Sequence, residues 1–190
     1  MSKLKKLDLG NNPTLECVFL KNVNVEDDTI FENLKEVNVS KCKNLRVIDI
    51  EQAGEKFTEL DLSSNDKLNS LGLEGLRGLK QLKMPETDNL KELVVKETAL
   101  ESLDIEKYTK LDKVCVGGNQ FNTLKINMEQ KTEKDIENMY LLFDNNLKVD
   151  FISSKNGIVP NIKRLDNHDL WAGIVFSNYV VTDYEIPECW

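Results

Sequence analysis

Residues 57–68 read FTELDLSSNDKL. Three apolar side chains, Phe57, Leu60 and Leu62, follow the order apolar-x-x-apolar-x-apolar. A second triplet, Leu68, Leu71 and Leu73, opens directly behind it. Alternation along a strand sends the last two apolar residues of each triplet to one face. The leading residue closes the turn onto that same interior.

The pattern extends in both directions. Upstream it occurs at Leu4-Leu7-Leu9, Leu15-Val18-Leu20, Leu34-Val37-Val39 and Leu45-Ile48-Ile50. Downstream it occurs at Leu79-Leu82-Met84, Leu90-Leu93-Val95, Leu100-Leu103-Ile105, Leu111-Val114-Val116 and Phe121-Leu124-Ile126. Starts step mostly by 10 to 12 residues, with one step of 19 between Leu15 and Leu34. Alternate starts resemble each other most, so one coil takes about 21–23 residues and holds two strand-like halves. A single coil cannot bury its apolar edge, but stacked coils bury one continuous column. Asn12, Asn65 and Asn119 stand at the turns, where an amide can bond a backbone that has left its ladder.

The expected fold class is therefore an α/β repeat solenoid: a β-rich array over residues 1–126, with an insertion near 22–33, and a C-terminal α+β capping region over 127–190. Segments such as LKKLDLGNNPTL (4–15), FTELDLSSNDKL, LESLDIEKYTKL (100–111) and LDKVCVGGNQF (111–121) resemble the leucine-rich-repeat superfamily. The two-strand coil is similar to the 21-residue bacterial surface repeats related to internalins, of the Bacteroidetes type. That resemblance covers residues 4–126 and implies a recognition scaffold, although fold alone does not carry function.

Composition narrows the function classes. With 33 acidic and 25 basic side chains the formal charge is −8, which disfavours nucleic acid and anionic membrane surfaces. No apolar run is long enough for a spanning helix, so no membrane insertion is expected. Without a basic-then-apolar leader the chain reads as cytoplasmic, or as secreted or cell-surface if a leader has been removed. The cysteines, Cys17, Cys42, Cys115 and Cys189, form no Cys-x-x-Cys pair and read as free thiols.

A catalytic reading finds little support. The single histidine, His168, sits in a polar turn-like run. Gly72, Gly75 and Gly78 lack the strand–loop–helix setting and trailing lysine of a phosphate loop. No metal-ligand spacing is present. The expectation is a non-enzyme with no cofactor and no metal.

Outward strand positions are free of core constraint. In the first half-coil they are polar: Asp8, Asn38, Asp61, Lys83, Asp104 and Lys125. In the second they are Phe19, Asp49, Gly72, Val94 and Cys115, with Cys17 and Val47 one row over. Exposed apolar groups on a sheet need a partner. The expected protein-binding set is Phe19, Val47, Asp49, Val94 and Cys115, rimmed by Lys91, Glu92, Asp112 and Lys113.

Beyond Ile126 the repeat is lost. Thr132 to Asp135 reads as a capping-box helix start. Ile136, Met139, Tyr140 and Phe143 then fall on one helical face, and 144–146 read as a stop. Leu147, Val149 and Phe151 alternate as a strand. Eight of the thirteen aromatic residues lie beyond residue 139. This region reads as a cap over the column end, or as a small effector module, and its aromatic tail offers a route to self-association beside the open N-terminal edge. At the other end, Leu4 opens the array with nothing before it. A removed N-terminal region, a homo-oligomer through that edge, a covering partner, or the insertion folding back would each cover it.

Overall fold

The computed structural model describes residues 4–21, 31–154 and 158–165. The triplets fold as expected into a parallel β-solenoid, each coil placing one short segment on each of two ladders. The first ladder holds β1 (Lys6–Asp8), β3 (Glu36–Asn38), β5 (Glu59–Asp61), β7 (Gln81–Lys83), β10 (Thr123–Asn127) and β12 (Lys148–Ile152). It is broken into the pairs β1–β3, β5–β7 and β10–β12. The second holds β2 (Cys17–Leu20), β4 (Val47–Glu51), β6 (Ser70–Glu74), β8 (Glu92–Lys96), β9 (Lys113–Gly117), β11 (Tyr140–Asp144) and β13 (Ile162–Leu165). These seven form one continuous sheet. Between the ladders runs the column of buried side chains, among them Phe57, Leu60, Leu71, Leu93, Val114 and Phe143.

Several first-ladder segments end where an aspartate or asparagine at the outward position bonds the backbone just beyond it. Asp8, Asn38, Asp61 and Asp104 each accept the backbone N–H two residues on, from Gly10, Ser40, Ser63 and Glu106. This local turn diverts an N–H from the ladder and stops the strand after about one triplet. Strand β10 runs five residues, until Asn127 makes the same turn to the Glu129 N–H. The segment around Leu103 forms no strand, which leaves β7 and β10 unpaired with each other.

The inward turn slot that follows each first-ladder segment is not a uniform asparagine ladder. Asn65 donates to the carbonyls of Val39 and Cys42 in the preceding coil. Cys42, in the same slot one coil earlier, reaches the Leu9 carbonyl. Tyr108 reaches the Pro85 carbonyl at 2.6 Å. Different side chains thus satisfy the same kind of backbone acceptor.

Two expectations change. Helix is scarce: among the described residues there is one, α1 (Glu133–Asn138), so the α/β label overstates it. Its capping box is formed as expected, with Thr132 and Asp135 bonding reciprocally. The helix ends at Met139 rather than continuing to Phe143. Tyr140 to Asp144 is strand β11, because Leu141 and Phe143 fill the column by two-residue alternation and the backbone pairs with β9. Pairing also carries on past Ile126, through β10–β12 and β11–β13. Residues 22–30, most of the expected insertion, and everything from Asp166 on, His168 included, lie outside the described residues.

Candidate partner-binding face

Register places the outward residues of the second ladder in one row: Phe19, Asp49, Gly72, Val94, Cys115, Leu142 and Lys163. The row before it is Cys17, Val47, Ser70, Glu92, Lys113 and Tyr140. The expected set is therefore brought together on one surface. Lys91 and Asp112 join it at the strand entrances, where each N–H bonds a carbonyl of the preceding coil.

Exposure does not follow the expectation. Phe19 is open, at 43%. Val47 is half-buried, and Lys91 is exposed. Val94 (8%), Cys115 (2%), Asp49 and Glu92 are buried. Val94, Cys115 and Leu142 form an apolar cluster of their own, separate from the column, with Tyr140 packed against it. Leu142 and Tyr140 were missed because residues 136–143 read equally well as a helix face. The alternation of Leu141 and Phe143 was the usable signal.

Charges on this surface are paired across strands. Lys21 reaches Asp49 at 2.7 Å and Glu51 at 2.9 Å. Lys96 reaches Glu74 at 2.9 Å, and Lys113 reaches Glu92 at 2.9 Å. Lys131 pairs with Asp112 at the rim. Burial raises the Asp49 carboxyl above its ordinary range, and Lys21 only partly offsets it. Burial likewise raises Glu92 against the pull of Lys113 and Ser70. A Cβ at Gly72 would lie 2.6 Å from the Asp49 carboxylate oxygen, so any larger residue there displaces that carboxylate.

Burial pushes the Cys115 thiol up to about 12, so it is a poor nucleophile at neutral pH. Cys42 and Cys115 are free thiols, and Cys189 lies outside the described residues. The described residues hold no group of three or more His, Cys, Asp or Glu side chains placed to share a metal ion. None of their helices is long and apolar enough to cross a membrane. On the opposite ladder, the interruption at Leu103 leaves open depressions of about 790 and 390 Å³ on either side. Leu82, Met84 and Phe121 line them along with charged residues.

In comparisons with known proteins, the chain matches no family model and no curated protein.

Proposed function

We propose that this chain is a non-catalytic recognition scaffold of leucine-rich-repeat type that binds another protein through the outward face of its seven-stranded sheet. The observation that carries this reading is Phe19, an aromatic side chain left 43% exposed on a rigid ladder beside half-buried Val47. An aromatic held on a regular element loses little conformational entropy on binding, and such residues dominate interface energetics. Lys91, Asp112 and Lys113 supply a charged rim. Asp49, Val94, Cys115 and Glu92, being buried, act as framework under that surface rather than as first contacts.

The test is affinity capture from native extract, with wild type beside Phe19→Asp, after both show matching thermal unfolding. The captured protein is then titrated against purified bait. Loss of about 2 kcal/mol or more, roughly 30-fold in Kd, supports the reading. Equal affinity for both baits rejects Phe19 as the anchor.

A second reading, assembly through the N-terminal edge, is favoured by Leu4, a core-type residue of the first triplet that stays 39% exposed. It predicts a concentration-dependent mass that Leu4→Glu abolishes.

A further inference from the structure

We propose that the smaller depression beside Leu103 is a docking site for an arginine side chain presented by a partner protein. The site lies on the opposite ladder from Phe19 and does not depend on the reading given above.

Exposure of core-type residues is the first observation. The residues that open first-ladder triplets in the inner coils, Leu34, Phe57, Leu79 and Leu100, keep 2% of their surface or less. Phe121 holds the same place in the next coil, yet it is only half-buried. Among the middle residues of these triplets, Val37, Leu60 and Leu124 are buried. Leu82 and Leu103, which border the break in the ladder, are half-buried. The segment around Leu103 joins neither β7 nor β10, so neighbouring coils do not close over these side chains. The result is an open depression of about 390 Å³ with Leu103 and Phe121 in its wall. Ligand pockets commonly enclose about 300–1,000 Å³.

Charge is the second observation. Glu101, Asp104, Glu106 and Asp150 line the same depression, and Lys125 is the one cation in its lining. Lys125 pairs with Glu106 at 3.0 Å. The hydrogen bond and charge of Glu106, then the charges of Asp150 and Asp104, hold that ammonium above its ordinary value, so the carboxylates converge on one place. Lys148 reaches Asp150 at 3.4 Å from outside the lining, but its side chain is 72% exposed, and a pair so open to water is weak. Four carboxylates against one ammonium leave an excess of three negative charges. The larger depression across the segment differs, since Lys80, Lys83 and Lys107 line it beside Glu86 and Asp104.

A cation complements this excess, and the apolar wall selects among cations. A guanidinium bonds carboxylates through paired N–H groups and stacks on an aromatic face such as that of Phe121. Its apolar stem can lie along Leu103. A lysine ammonium is a compact, strongly hydrated charge and gains less from the ring.

The test is a nuclear magnetic resonance titration of the full chain at low ionic strength with the peptide Ac-Gly-Ser-Arg-Ser-Gly-NH2. A second titration uses the same peptide with citrulline, a neutral isostere, in place of arginine. The Leu103 methyl and Phe121 ring signals should shift saturably with the arginine peptide, and the citrulline peptide should bind many-fold more weakly. Asp104→Asn keeps the side-chain acceptor for the Glu106 N–H while removing a charge. Combined with Asp150→Asn it should weaken the arginine peptide about tenfold. Lys80→Gln, in the larger depression, should leave that affinity unchanged. Absence of saturable shifts overturns the proposal, as do shifts confined to other parts of the molecule. Equal affinity for the two peptides also overturns it, and that comparison needs no variant to fold.

Discussion

At the residue scale, the outward row shows how one side chain constrains its neighbour across a ladder. Gly72 stands between Asp49 and Val94 because the Asp49 carboxylate occupies the space a Cβ would need. Gly72→Ala should therefore push Asp49 off Lys21 and cost about 1–3 kcal/mol in denaturant unfolding. Asp49 also sets a pH dependence. Its folded value is raised above 3.8, so its contribution to stability is full below the unfolded value and is lost as pH rises through the raised one. Thermal unfolding followed from about pH 4 upward should show a decline that is shallower in Asp49→Asn. Cys115 reports on the same surface by its reactivity. A shift from 9.0 to about 12 removes about a thousandfold of its thiolate, so native labelling should be slower by at least that factor than in denaturant. Labelling of native Cys115 at the denatured rate would show that the face is open.

At the element scale, the two ladders differ because their strands end differently. On β1, β3 and β5 an aspartate or asparagine at the outward position takes an N–H from the backbone and closes the strand after three residues. Asp61 bonds the Ser63 N–H and hydroxyl and an ammonium hydrogen of Lys83. Those bonds hold its carboxyl below the usual range. Asp61→Ala should cost about 1 kcal/mol, read as a lower urea midpoint, with no change of fold. On the second ladder the strands run longer and end in left-handed residues: Gln52 at φ 56°, Gly75 at 68°, Glu97 at 50° and Gly118 at 66°. Their recurrence at one register position shows that the coil imposes this turn, whether or not glycine is present to ease it. The first ladder's polar residues looked like a solvated face in the sequence. Their turn-forming role needed the backbone path, because an aspartate on a strand and an aspartate ending one look alike in one dimension.

At the scale of the whole molecule, stability is spread along a column whose coils touch only their neighbours. Central strands β6, β8 and β9 are paired on both sides and bury Leu71, Leu93 and Val114 beneath them. Among the described residues, strand β2 is paired on one side only, and β1 with β3 alone. Native-state hydrogen exchange should give the amides of β6, β8 and β9 the slowest rates, with those of β1 and β2 opening at lower free energy. Uniform protection from end to end would reject the nearest-neighbour picture. One face of the molecule has two unlike ends: Phe19 is exposed at one, and Val94, Cys115 and Leu142 are buried towards the other.

The coil length, the parallel solenoid and the inward residues were all legible in the sequence, because burial on a pleated strand repeats every second residue and stacking repeats every coil. That periodicity also brought Phe19, Asp49, Val94 and Cys115 to one row. Three things were decided only in three dimensions. Tyr140 to Asp144 became a strand because β9 offered an unpaired edge, which outweighed a helical spacing that is ambiguous over so short a run. The first ladder broke at Leu103, since pairing depends on how neighbouring coils meet and not on any one triplet. Val94, Cys115 and Leu142 on the outward row are buried while Phe19 is exposed, a difference that two-residue alternation does not record, because exposure depends on everything around a residue and not on its parity along a strand.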